Sequence, residues 1–381
     1  MTTYAVNTPL FEFGLWDQLE GKGIPVSFDL ELTARCNNDC RHCYINLPAA
    51  DRAARAGELT LDEIAGVADQ AVELGALWCV ITGGEPLLRP DFSEIYLALK
   101  RRGLLVTVFT NACLLRPEHV DLFRKYPPRD LEITIYGASR EAYERVTRTP
   151  GSFDAFLRGV SLLEQAGVGA RYKAMALRSN VHELAAMARF GRAHTKDFFR
   201  FDPLLHLRYD RDPARNAEIC AERLAPEEIA AIEQSDEERA HAMRRECRRV
   251  AGHEAPDEPD LIFHCGVGQG FTVGYDGSLR LCSALWHPEY VADVRREPVA
   301  AAWRRLVSDV AAARSSDAAY RGRCAACGLV DLCLWCPAHA YLECGSLTTP
   351  IDDFCDVAHA RARVFGDPAA EGYDAGVSPN S

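Results

Sequence analysis

"RCNNDCRHCY" (residues 35–44) sets Cys36, Cys40 and Cys43 in a C-x3-C-x2-C spacing just after an apolar, strand-like run, "VSFDLEL" (26–32). Three thiols in eight positions, with no fourth in the same loop, form an unusual donor set. Structural zinc takes four ligands. A cubane iron–sulfur cluster in an electron carrier binds a thiolate at each of four corners. Three thiolates on a cubane leave one iron open, and an open iron can bind a small molecule. A loop of this kind at the end of a first strand points to an α/β fold whose chemistry gathers at the C-terminal ends of parallel strands.

Outward from that loop, strand-like and helical stretches alternate to about residue 205. Thr60, with Glu63 three residues on, predicts a capping box that opens a helix closed by Gly75. Strands are expected at 77–82, 104–110, 131–137, 170–177 and 197–201, with helices over 89–103, 117–125, 152–167 and 181–194. Six strand–helix units are too few for an eight-fold barrel, so an open, partial (β/α)6 TIM-like barrel over 26–205 is the simplest architecture. It follows an extension of residues 1–25. Residues 206–262 are rich in charge at helical spacing and read as a solvated helical connector. Residues 263–360 are loop-rich and cysteine-dense, and the tail over 361–381 reads as flexible.

The chain has 381 residues, is 48% hydrophobic and carries a net charge of −12. That charge argues against nucleic acid, because phosphate contacts need a basic face, and against an anionic membrane surface. The start lacks a basic segment followed by an apolar run, and no apolar stretch approaches the length of a membrane span. A cytoplasmic location is expected. In a reducing compartment, fifteen cysteines point to metal or catalysis before disulfides. Ten fall into patterned groups. Cys79, Cys113, Cys220, Cys247 and Cys344 are scattered and read as small buried hydrophobes.

"TGGEP" (82–86) ends the second strand. Its two glycines let backbone approach a ligand closely. Together, "CNNDCRHCY" and "GGEP" resemble the radical S-adenosylmethionine (SAM) superfamily over about residues 26–205. The resemblance implies that Cys36, Cys40 and Cys43 hold a [4Fe-4S] cluster whose open iron binds the amino and carboxylate groups of SAM. One electron then cleaves SAM to methionine and a 5′-deoxyadenosyl radical, which abstracts a hydrogen atom from substrate. It also implies that Tyr44 lies against the adenine and that Gly83, Gly84 and Glu85 line the methionine amine. Asn111, Thr134 and Lys173, at strand ends, would complete the pocket.

Farther on, "YDGSLRLC" (275–282) reads as a hairpin with a tight type I′ Asp-Gly turn. Cys324, Cys327, Cys333 and Cys336 follow in a C-x2-C-x5-C-x2-C spacing, and Cys355 opens a terminal helix. Paired C-x2-C units suit zinc and iron–sulfur clusters alike. Here the chain is similar to the SPASM extension, in which Gly277 and Cys282 match a G-x4-C step. That resemblance implies two auxiliary clusters, one held by Cys324, Cys327, Cys333 and Cys355 and a nearer one by Cys265, Cys282 and Cys336. The last spacing is one residue short of the SPASM pattern. The nearer cluster's fourth ligand is left open between an open iron, Cys344 and another group. His264, His287 and His339 lie among these cysteines.

Proteins of this layout most often modify a ribosomally made peptide (a RiPP) by crosslinking, epimerisation or oxidation. Only about 25 residues precede the first strand, so a separate leader-recognition protein is expected, with a flavodoxin or ferredoxin as electron donor. The other enzymatic reading is oxidation of a small molecule or a protein side chain, as in sulfatase maturation or cofactor biosynthesis. A metal-stabilised binding module is the non-enzymatic one, and it leaves "GGEP" and the missing fourth ligand unexplained.

Overall fold

The computed structural model describes residue 19 and residues 22–195, 199–250, 260–263, 269–325 and 327–366. The expectations for Cys265 and His264, for most of the N-terminal extension and for the tail from residue 367 therefore lie outside the described residues.

Six strands run parallel in chain order: β1 (Ser27–Glu31), β2 (Trp78–Thr82), β3 (Leu105–Thr110), β4 (Asp130–Ile135), β5 (Arg171–Met175) and β6 (Arg200–Asp202). Asp197 and Phe198, expected in the sixth strand, are outside the described residues. Alternation of side chains decides the two faces. Phe28, Leu30, Cys79, Ile81, Val106, Val108, Leu131, Ile133, Tyr172 and Ala174 are buried in the core. The intervening Asp29, Glu31, Phe109, Glu132, Thr134 and Lys173 lie on the other face, the inside of the open α/β barrel.

The helix Leu61–Glu73 has the expected capping box: Thr60 N–H donates to Glu63 at 2.7 Å, and Glu63 N–H donates to Thr60 Oγ1 at 3.2 Å. The sequence reading missed the helix Arg140–Thr147. Its start signal is Ser139, whose hydroxyl accepts from Ala142 N–H at 3.2 Å, and left-handed Arg148 ends it.

The sheet does not stop at six strands. β7 (Gly270–Val273) pairs parallel with β1, and β8 (Ser278–Arg280) and β9 (Ala292–Asp293) follow antiparallel, giving the order β9-β8-β7-β1-β2-β3-β4-β5-β6. The helix Val299–Ala312 covers this added edge, with buried Trp303 against Phe271, which stacks in turn on Phe28. The hairpin turn is not type I′. That turn needs positive φ at both central residues, whereas only Gly277 has it (φ 87°). Gly277 N–H donates to Gly274 O, and Gly274 N–H to Ser278 O, which makes a type I turn followed by a glycine bulge.

The connector is helical, with an exposed face and a buried one. It comprises helices Pro213–Glu222, Pro226–Ser235 and Glu237–Val250. The second packs on the terminal helix Asp352–Phe365 through buried Ile229 and Ala230. Glu233, fully buried there, accepts from Arg361 at 2.7 and 2.9 Å and from Arg239 at 2.6 Å. Of the scattered cysteines, Cys79 and Cys247 are buried as expected, but Cys220 and Cys344 are exposed and Cys113 is half-buried.

Candidate active site

Loops after β1, β2 and β3 converge. A short ladder of Arg35–Cys36 with Leu47–Pro48 closes the cysteine loop at its base. The Arg35 guanidinium bonds Glu58 at 2.7 Å and Ala49 O at 3.0 Å beneath it. Three more arginines hold the loop's backbone: Arg148 donates to Asp39 O (2.8 Å), Arg215 to Cys40 O (3.3 Å) and Arg208 to Asn46 O (3.2 Å). None of these three was singled out from sequence. They come from distant elements, and only the closed fold brings them here.

Burial pushes the thiols of Cys36, Cys40 and Cys43 up, and each of Cys36 and Cys40 also feels the charge of its neighbours. Donors offset this. Cys36 Sγ accepts from Asn38 N–H at 3.4 Å and from Asn111 Nδ2 at 3.7 Å. The N–H groups of Ile45 and Asn46 point at Cys43, and the Arg208 charge acts in the same direction. Cys113 joins the group as a fourth nearby thiol, in contact with Asn38 Nδ2 at 3.9 Å and Ser152 O at 3.5 Å. Burial lifts it to about 11.

The glycines of "GGEP" answer to the chain's own backbone. A Cβ on Gly83 would stand 2.3 Å from Thr33 O, and one on Gly84 would stand 2.3 Å from Arg35 O. Gly84 N–H donates to Thr33 O at 2.6 Å and Glu85 N–H to Arg35 O at 2.9 Å, so this turn is fastened to the stretch that leads into Cys36. The Glu85 side chain is fully buried. It accepts from Thr110 Oγ1 (2.8 Å), Asn111 N–H (2.8 Å) and Leu87 N–H (3.0 Å), and burial raises its carboxyl to about 7. Glu85 thus clamps the end of β2 to the end of β3.

Asn111 reaches Cys36 and also Asn37 Oδ1 (2.9 Å). Tyr44, half-buried, donates to Glu31 Oε1 at 3.4 Å and meets the His206 ring edge-on. Thr134 faces the interior beside Lys173, its register partner. Lys173 sits mid-strand rather than at a strand end. Its ammonium lies 3.3 Å from the Phe109 ring centre and bonds Glu132 at 2.9 Å, and burial lowers it to about 8. Lys173 is therefore held in a barrel-wall group with Glu132 and Arg200, away from the contacts of the cysteine loop.

In the C-terminal region, Cys324, Cys327, Cys333 and Cys355 are brought together. Burial raises Cys324 to about 11 and Cys333 to about 12, and the charges of Cys327 and Cys355 add to both shifts. Cys282 lies near Cys336, whose thiol caps the helix Pro337–Cys344 by accepting from His339 N–H at 3.4 Å. Cys344 is at the other end of that helix, roughly 12 Å away at 1.5 Å per residue, and donates to Ala340 O. This placement argues against Cys344 as the fourth ligand of a cluster on Cys336. His339 Nδ1 bonds Leu334 O at 2.7 Å. His287 packs against Tyr290 and Tyr341.

Among the described residues, no three His, Cys, Asp or Glu side chains converge on one point as ligands of a single ion do. A cubane spreads its thiolates over separate irons. Thiols grouped in mutual electrostatic reach, with N–H donors aimed at two of them, fit such a cluster.

Residues 30–191 match the family model of the Radical SAM superfamily, so the chain carries a radical SAM domain. It is 27% identical over 336 residues to an AdoMet-dependent heme synthase of Methanosarcina barkeri, spanning 83% of this chain and 92% of that one. It is 30% identical over 176 residues to the mycofactocin maturase MftC of Mycobacterium tuberculosis, spanning 46% and 44%. Its fold is similar to that of Streptococcus suis SuiB bound to S-adenosylmethionine, with a TM-score of 0.65 at 14% identity over 87% of this chain and 77% of that one. Among the described residues, no helix is long and apolar enough to cross a membrane.

Proposed function

We propose that the chain is an oxidative radical SAM enzyme with two auxiliary clusters, acting on a ribosomally made peptide. The observation that carries the oxidative part is the gathering of two further cysteine groups, Cys324/Cys327/Cys333/Cys355 and Cys282/Cys336, in a chain that carries a radical SAM domain. Removing a hydrogen atom leaves a substrate radical, and its second electron needs an acceptor. The fold's likeness to Streptococcus suis SuiB, which has been solved bound to the precursor peptide SuiA, supports the peptide.

In this reading Cys36, Cys40 and Cys43 hold the first cluster and Cys265, Cys282 and Cys336 the nearer auxiliary one. When bound, the first cluster and SAM supply a 5′-deoxyadenosyl radical that takes a hydrogen atom from the substrate. The chain's residues do the rest. Tyr44 lines the adenine side, Gly83 and Gly84 seat the turn beside the methionine end, and Glu85 fixes that turn to Asn111. Thr134 and Lys173 line the barrel wall that faces the substrate. A flavodoxin or ferredoxin supplies the electron, and a separate protein presents the peptide's leader.

A second reading has its own support: the AdoMet-dependent heme synthase aligns with most of this chain. On that reading the substrate is a small molecule such as a tetrapyrrole carboxylate. The test is anaerobic reconstitution with iron and sulfide counted per chain. It is followed by SAM cleavage with dithionite in the presence of candidate precursor peptides or of an iron coproporphyrin, read by mass spectrometry. About twelve irons and a peptide that loses hydrogen support the proposal. Loss of carboxylate carbon from the porphyrin instead favours the second reading, and about four irons would sink the auxiliary electron path.

A further inference from the structure

Glu31 and Arg280 form an ion pair at 2.7 Å in which neither side chain has exposed surface. A buried pair of this kind is a poor source of stability, because desolvation offsets the attraction. Its place in the fold is more informative. Glu31 ends β1, and Arg280 ends β8 on the added edge, two residues before Cys282. Glu31 uses its second oxygen to accept from the hydroxyl of Tyr44, the residue after Cys43, at 3.4 Å. Arg280 is itself held from three sides. Its Nη1 donates to Ser278 Oγ at 2.7 Å, and Ser278 donates to Asp276 at 2.6 Å. Its guanidinium lies 3.5 Å from the ring centre of Trp286, four residues beyond Cys282. Its Nε is buried without a hydrogen-bond partner among the described residues, and the Trp286 face is what meets that planar cation.

We propose that Arg280 is a positioning residue for SAM. Acting through Glu31, it orients Tyr44 from the hairpin that also carries Cys282, so that the shape of the SAM pocket depends on the C-terminal region. The inference rests on the reading that Tyr44 lines the adenine. Without Arg280, Glu31 is an uncompensated carboxylate, and Tyr44 loses an acceptor fixed in place.

The test uses the reconstituted holoenzyme and measures SAM affinity by equilibrium dialysis, together with the change SAM makes in the EPR spectrum of the reduced first cluster. Arg280→Met and Tyr44→Phe should each weaken SAM binding about tenfold with iron content unchanged. Combined, they should be no weaker than either alone, because both cut one chain of contacts. Glu31→Leu with Arg280→Met replaces the pair by apolar groups and should recover thermal stability without recovering SAM affinity. If affinity returns along with stability, the pair is only structural and the proposal fails. It also fails if Tyr44→Phe binds SAM within twofold of the wild type, a result that does not depend on whether Arg280→Met folds. A wild-type protein that does not bind SAM refutes the functional reading instead.

Discussion

Replacing Gly84 with alanine tests whether the "GGEP" turn supports the cysteine loop. The added Cβ would lie 2.3 Å from Arg35 O and 2.7 Å from Ala34 O, where ordinary contact begins near 3.4 Å. Both neighbours are backbone, so the two segments must part by about 1 Å, against the cost of overpacking, about 1–3 kcal/mol. Parting them also breaks the bonds from Gly84 N–H to Thr33 O and from Glu85 N–H to Arg35 O, each worth about 1 kcal/mol net. The sum is about 3–5 kcal/mol. With an unfolding entropy of about 2.1 cal/mol/K per residue, that lowers Tm by about 5 °C. Arg35 adjoins Cys36, so iron held at the first loop should fall as well. The assays are differential scanning calorimetry and iron content on anaerobically reconstituted protein. Gly66→Ala is the control: it lies in the helix Leu61–Glu73 with nothing among the described residues within 4 Å of an added Cβ, and it should raise stability by about 0.5–1 kcal/mol. A Gly84→Ala protein that melts within 1 °C of wild type and keeps all its iron would refute the reasoning.

Burial raises Glu85 to about 7 from 4.5, so the folded chain binds this proton more tightly than the unfolded one. That contribution to stability is complete below about 4.5 and lost as pH rises through about 7, a fall of about 3 kcal/mol at 1.36 kcal/mol per unit. Glu85→Gln should abolish this part of the slope in urea unfolding followed from pH 4.5 to 7.5, and an unchanged slope would count against it. Asn111→Ala removes the amide that reaches Cys36 Sγ. It should make the first cluster harder to reduce by about 20–40 mV, since about 0.5–1 kcal/mol of hydrogen bond converts at 59 mV per 1.36 kcal/mol for one electron; a potentiometric EPR titration without SAM reads this. Cys344→Ser should leave the iron count unchanged while Cys336→Ser lowers it by about four, and iron lost from Cys344→Ser would restore that thiol as a candidate ligand.

The features legible in the sequence are those with a local cause. The capping box at Thr60 and Glu63 needs only four residues, and it is present with both bonds. The parallel order of β1–β6 follows from alternation of strand and helix, because a crossover helix lays the next strand beside the last. The cysteine spacings group thiols because each motif closes on itself within a loop or helical turn. Pairing of β7 with β1 was not legible: Ser27 meets Gly270, and no local pattern specifies so distant a partner. The same holds for Cys113, whose neighbours Asn38 and Ser152 lie on other segments, and for Arg148, Arg208 and Arg215. Glu85 was legible as a candidate site residue, but the fastening of its carboxylate to Thr110, Asn111 and Leu87 was not.

The three arginines share a physical role. Iron takes cysteine as thiolate, and here burial pushes each thiol of the loop the other way. Three buried negative charges would be prohibitive without compensation. Arg208, from after β6, lowers the Cys43 thiol, and together with Arg215 and with Arg148, from the end of the helix Arg140–Thr147, it ties the loop's backbone down at Asn46, Cys40 and Asp39. A three-cysteine motif therefore specifies where a cluster can bind, while the rest of the barrel decides whether binding is favourable. That division explains why the motif is short enough to read in eight residues, and why the arginines that hold it lie more than a hundred residues further along the chain.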